Sequence, residues 1–364
     1  MPESKKPRSA AASRRMVMLG AGAAGVTGLV AGATRVFASP RGLAGSILDT
    51  VPICRIADVG PAIIAPAGTK LKLTWNANAI CTVGVPVALQ HGLFTKHGLD
   101  VELVNFGGST DQLLEAISTG KADAGVGMAL RWLKPLEQGF DVKIAMALHG
   151  GCMRLFSTND SGISTIEGLK GKIVGTSDMA SPEKNFFSIV AAKHGLDPNA
   201  DIEWRQYPAD LLGVALKKGE IQAFALGDPL GWVIRERDGL HEVANNLSGE
   251  YHDRVCCVLG VAGKLVRERR EVAGALVQAL TEAQVYVASD PDGAAALFAQ
   301  YSPTPTAMLS AMLHSHTHGD HPTGDRLKNQ IAAYADDLKL VKVLRPGTDS
   351  QRFANKVFAD VLSS

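Results

Sequence analysis

The chain has little of what a nucleic-acid partner requires. Its 364 residues carry a formal net charge of only +1, and aromatic residues make up 5% of them. No broad positive field awaits a phosphate backbone, and few rings are available for base stacking. No nucleotide-binding glycine loop, Ser-His-Asp order or pair of catalytic carboxylates stands out. The five cysteines (Cys54, Cys81, Cys152, Cys256 and Cys257) are odd in number and form no ladder of metal spacings. Free, buried thiols are therefore expected; the adjacent pair in VCCVLGVAG reads as part of a buried strand, where neighbouring cysteines bridge only with backbone strain.

What is present suits a large α/β protein. Hydrophobic residues make up 46% of the chain and charged residues 20%, ample for one large or two medium cores. Thirty-eight glycines fit a fold with many strand-to-helix turns.

The amino terminus reads as a leader. Lys5, Lys6 and Arg8 precede Ser13-Arg14-Arg15-Met16-Val17-Met18-Leu19, an Ala/Gly/Val-rich stretch over 20–33, and small residues around Val36-Phe37-Ala38. A basic region, a weakly apolar region and a cleavage site make an export signal over 1–38. The paired arginines look like a twin-arginine leader. Gly and Ala dilute the apolar stretch and Arg35 ends it, which disfavours a retained anchor. No cysteine stands at the cleavage point to carry a lipid. A soluble periplasmic protein is expected, folded in the reducing cytoplasm before export.

Residues 39–70, rich in Pro and Gly without a clean period, are expected to form an arm. The pattern then predicts a strand over 71–75, a helix over 83–97, and strands over 101–105, 122–127 and 142–148 with helices over 109–118 and 130–138 between them. A second set follows: a short capped helix over 164–169 (Ser164 with Glu167 three later), strands over 172–175, 202–205 and 221–226, and helices over 181–194 and 210–218. The stretch after residue 253 reads as a strand returning to the first set, then helices. Such alternation predicts parallel, doubly wound sheets.

The motifs carry a resemblance. Gly92-Leu93-Phe94, His97-Gly98-Leu99-Asp100, the strand after it, Gly107-Gly108 and Gly120-Lys121-Ala122-Asp123 resemble the first lobe of periplasmic substrate-binding proteins of the nitrate/sulfonate/taurine class of ABC importers. GLKGKIVGTS, residues 168–177, resembles the second lobe of the same family. The resemblance implies an α/β, bilobed periplasmic-binding-protein fold, with two doubly wound sheets joined by two hinge crossings. Lobe 1 would comprise 71–154 and 255–364, and lobe 2 would comprise 155–254. It implies a non-catalytic receptor that closes on a small solute (nitrate, bicarbonate, a sulfonate or taurine, or a related organic compound). The partner implied is an ABC transporter permease in the inner membrane, and a monomer is expected. A same-fold enzyme of thiamine-pyrimidine synthesis is the alternative, but it calls for a cysteine-rich motif and a cytosolic location.

The candidate site residues sit at strand ends. Gly107, Gly108, Ser109 and Thr110 offer backbone N–H groups and hydroxyls at a helix start, suited to an oxyanion or to plain capping. Asn76 and Asn78 follow the first strand and offer side-chain amides. Ser181 before Pro182 reads as an N-cap; with Ser177 it can meet polar groups, and Met179 can form an apolar wall. Asp228, with Trp232 after it, ends another strand, and by the resemblance its turn faces the cleft. His149 and Cys152 flank Gly150-Gly151 at the first crossing and suit ligand contact. Few cations lie near these turns, Arg131, Arg154 and Lys184 being the nearest, which disfavours a doubly charged anion. His314, His316, His318 and His321, with Asp320, form the most unusual run, either a divalent metal site or a polar loop. No other cofactor is expected, and a metal-handling or sensory role for this run is a further alternative.

Overall fold

The computed structural model describes residues 61–106, 110–316 and 321–363, with the backbone alone at Thr110. The leader over 1–38, most of the arm, Gly107, Gly108, Ser109 and His318 lie outside the described residues.

Ten strands lie among the described residues: β1 (Thr69–Trp75), β2 (Leu99–Asn105), β3 (Ala124–Met128), β4 (Val142–His149), β5 (Met153–Ser157), β6 (Lys172–Thr176), β7 (Ile202–Gln206), β8 (Ala223–Gly227), β9 (His241–Asn245) and β10 (Cys257–Ala262). They form two five-stranded sheets, ordered β2-β1-β3-β10-β4 and β7-β6-β8-β5-β9. In the first, β1 runs parallel to β2 and β3; in the second, β6 runs parallel to β7 and β8. The expectation of purely parallel sheets needs one correction. β10 runs antiparallel to β3 and β4, and β5 antiparallel to β8 and β9. Each is the strand laid down as the chain arrives from the other sheet, so it runs away from the junction while its neighbours run towards it.

The chain crosses between sheets twice, over 150–152 and 246–256, and the crossings lie side by side. Cys256 N–H donates to the carbonyl of His149 (2.9 Å) and Asn246 N–H to that of Met153 (3.2 Å). The Asn246 side chain accepts from Met153 N–H in return (2.8 Å).

Local corrections have local causes. The helix expected over 83–97 is two, Gly84–Gln90 and Leu93–Lys96, because Gly92 adopts a left-handed φ of 64° between them. The short helix expected over 164–169 is a 3₁₀ turn, Ile166–Leu169, with Thr165 rather than Ser164 at its N-cap. The Glu167 carboxylate bonds the His194 ring (2.6 Å) and also the Thr165 side chain. Ser181 does cap the helix Pro182–Lys193, accepting the Lys184 N–H at 3.1 Å.

Packing explains the glycines of the first sheet. β3 reads AGVGM and is buried throughout. The fully buried indole of Trp132, on the helix Ala129–Glu137, lies directly on this sheet. A Cβ on Gly127 would come within 2.1 Å of the ring, and one on Gly260 within 2.7 Å. These positions must stay bare for an aromatic to cover the strands. Gly127→Ala should therefore overpack the first lobe and cost about 1–3 kcal/mol, read as a lowered midpoint in chemical denaturation; an unchanged midpoint would show that the indole moves aside freely.

Candidate functional site

Both sheets direct the C-terminal ends of their parallel strands at one cleft, the place where open α/β sheets bind ligands. The cleft encloses about 410 Å³. Asn76, Asn78, Thr82, Met128 and Arg131 line it from the first lobe, and Ser177, Asp178, Ser181, Glu183 and Asp228 from the second.

Asn76 follows β1 and shapes its own turn: its side-chain oxygen accepts Asn78 N–H (2.9 Å), and its carbonyl accepts the Thr82 hydroxyl (2.8 Å). On the opposite wall Thr176 and Ser181 hydroxyls bond one another at 2.9 Å. Arg131, in the first turn of its helix, reaches across the cleft. It donates through Nε to Asp111 (2.6 Å), again through Nη2 to the same carboxylate, and through Nη1 to Asp178 of the second lobe (3.1 Å). Burial alone would disfavour its cation, but the two carboxylates outweigh this and raise its pKa. Nearby, the Asn185 amide donates to the carbonyl of Leu130, a second bond between the lobes (3.1 Å).

Behind the cleft lies a buried ion network. Arg154, on β5, donates through Nε to Asp228 at the end of β8 (2.9 Å) and through Nη1 to Glu242 on β9 (2.8 Å). The same Asp228 oxygen, Oδ2, also bonds His316, whose Nε2 lies 2.9 Å away. His316 follows the helix Thr306–Ser315, which packs on the first-lobe helices. Arg154 also donates to Ser315 (3.1 Å). Arg154, Asp228 and His316 are all buried. Trp232 does not line the cavity; its ring sits between the guanidinium groups of Arg154 (4.9 Å) and Arg235 (4.0 Å).

The floor is sulfur-rich. Cys81, Cys152 and Cys257 line the cavity, and Cys256 lies beside them with its Sγ 3.9 Å from that of Cys152. All four are buried and free, as the sequence predicts. Hydrogen bonds from Cys256, Cys257 and Cys81 favour the thiolate of Cys152 and pull its pKa well below the ordinary value, while those of its neighbours rise. His149 is buried beneath, with its ring stacked on that of His316 at 5.8 Å. Burial pushes its imidazole down to about 4, so it is neutral at pH 7.

The remaining expected positions scatter. Met179 is 46% exposed and is not among the residues lining the cavity. Gly107, Gly108, Ser109 and His318 lie outside the described residues. Among the described members of the histidine run, His314 faces outward to Asp292 (3.2 Å), away from the others, while His316 turns inward to Asp228 and His321 is half-buried close enough to His149 to influence its charge. Lys184, one of the expected cations, lies over the Trp204 ring instead (5.5 Å). Sequence reasoning missed Asp178, Glu183, Thr82, Cys81 and Cys257 as cleft residues. Glu183 had one legible signal, its place in the first turn of a helix begun by Ser181-Pro182.

Two predictions follow from these charges. Arg154→Leu leaves Asp228 without its guanidinium and should cost about 3–5 kcal/mol, far more than a surface substitution, in equilibrium unfolding. Burial raises the Glu183 carboxyl to about 7. The folded state thus holds a proton that the unfolded chain releases near the ordinary carboxyl range, so stability falls as pH rises from about 4.5 to about 7. Glu183→Gln should flatten that part of the melting-temperature profile; an identical slope in the variant would assign it to another group.

Comparison with known proteins agrees with this architecture. A model of the NMT1-like family matches residues 65–301. Among curated proteins, none matches the sequence. The periplasmic aliphatic sulphonate binding protein SsuA from Escherichia coli superposes with a TM-score of 0.68 at 17% identity, covering 79% of this chain and 97% of that one. The alkanesulfonate-binding SsuA from Xanthomonas axonopodis pv. citri, bound to MOPS, gives 0.65 at 21% identity, covering 77% and 96%. The periplasmic nitrate-binding protein NrtA from Synechocystis PCC 6803 gives 0.67 at 15%, covering 82% and 88%. At these identities the likeness establishes the bilobed periplasmic-binding-protein fold.

Proposed function

Because the chain belongs to the NMT1-like family, we propose that it is a periplasmic solute-binding receptor delivering a small solute to the permease of an ABC importer. The observation that carries this reading is a cavity lined from both sheets, with polar side chains from each, at the strand ends of both. Solute bridges the lobes, and the lobes close on it about the two crossings. The leader over 1–38 is a twin-arginine export signal in this reading, and 39–70 is an arm. Lobe 1 takes 71–154 and 255–364, lobe 2 takes 155–254, and the receptor works as a monomer without catalysis.

The charges narrow the solute. Asp178, Glu183 and Asp228 line the cavity, whereas Arg131 is the one Lys or Arg among the described lining residues and already serves two carboxylates. A free anion entering there would compete with Asp111 and Asp178 for that guanidinium. A neutral or cationic solute avoids that competition, so we favour it over free nitrate or a sulfonate, although the sulfonate and nitrate binders share the fold.

Thermal-shift screening should decide. A panel of nitrate, bicarbonate, taurine, alkanesulfonates, neutral amides and small amines should contain a stabiliser. Its effect should be roughly 2.7 kcal/mol at about 100 times the dissociation constant, with a smaller radius of gyration in solution scattering. An anion as the sole stabiliser would overturn the charge argument; no stabiliser and no compaction would overturn the receptor reading itself.

A further inference from the structure

The sulfur-rich floor has a geometry that solute binding does not require. Cys81 lies in the 3₁₀ turn Ile80–Thr82 after β1, His149 ends β4, Cys152 lies in the first crossing, and Cys257 opens β10. His149 and Cys257 are direct partners across the antiparallel ladder. The Sγ atoms of Cys81 and Cys257 and a ring nitrogen of His149 all lie within 4.8 Å of one another. Cys152 stands outside this trio but beside it, its thiol interacting with those of Cys81, Cys256 and Cys257 and its Sγ 3.9 Å from that of Cys256, so a side-chain rotation would bring in a fourth donor.

We propose that Cys81, Cys257 and His149, with Cys152 as fourth ligand, form a binding site for a soft d¹⁰ cation, zinc(II) or copper(I). Thiolate and imidazole donors select these ions over calcium or magnesium, which take oxygen ligands. A zinc–sulfur bond of about 2.3 Å at tetrahedral angles sets sulfurs about 3.8 Å apart. The three donors here lie no more than 4.8 Å from one another, within reach of that spacing by small side-chain rotations. An entry path exists, since Cys81, Cys152 and Cys257 open onto the cleft. Each thiol that binds gives its proton to solvent and shares the sulfur electron pair with the ion, so no oxidant or reductant takes part. The site stands whether or not the transported solute is organic, and the solute screen tests that question separately.

Cobalt(II) is the probe for the full chain, purified metal-free under reduction. One equivalent should give the near-ultraviolet thiolate-to-metal absorption and the visible bands of a tetrahedral site, and zinc(II) should bleach both. Cys81→Ser and Cys257→Ser should each weaken binding more than tenfold and reduce the thiolate band. His314→Ala, exposed and outside the donor set, should leave both unchanged. Copper(I) should compete in the same place against a chromophoric chelator. If the serine variants misfold, the wild-type spectrum still decides, because absence of a thiolate band at one equivalent overturns the proposal. Binding that disappears in His314→Ala but survives in both serine variants would overturn it too, by moving the ion to the histidine run.

Discussion

A carboxylate with no access to water constrains much of this molecule. The side chain of Asp228 is fully buried, and a buried charge is tolerable only when paired and hydrogen-bonded. Its partners come from different places: Arg154 from the reversed strand of its own sheet, and His316 from beyond a helix packed on the other lobe. The requirement to satisfy one side chain therefore holds β5 against β8 and brings the end of the helix Thr306–Ser315 to the second lobe. Trp232, lodged between two guanidinium groups, extends the same arrangement outward.

Much of the architecture was legible because it is written locally. Strand and helix periods, the Ser181-Pro182 helix start and the two returns of the chain all leave short-range patterns. β5, β9 and the helix Leu230–Asp238 left weaker ones. β9 reads HEVAN and is half-buried at every position, as befits an edge strand with no clean alternation. The reversed strands were invisible for another reason, since strand direction is decided by the crossing and not by the residues within the strand.

The candidate site divides the same way. Ser181 announced itself by its cap, whereas the sulfur cluster could not, because its members come from three segments separated by up to 176 positions (81 to 257). Cysteine spacing along a chain detects ligands that share a turn, not ligands gathered by a sheet. The histidine run shows the converse error. His314 and His316 are two residues apart, yet one ends on an exposed helix face and the other in the core, so proximity in sequence was no guide to proximity of rings. Arg131 was recognised as a nearby cation, but its engagement by Asp111 and Asp178 depends on where two separate helices and a loop converge.

The side-by-side crossings have a kinematic meaning. Two rigid bodies joined by one flexible segment can swivel, slide and twist almost independently. Joined by two segments that hydrogen-bond to each other, through Cys256 to His149 and Asn246 to Met153, they lose most of that freedom. Translation along the joint and rotation about its length would shear those bonds, while bending across it leaves them nearly intact. On the proposed receptor reading, such a linkage would serve as a door hinge rather than a tether, leaving about one soft coordinate along which the lobes could close.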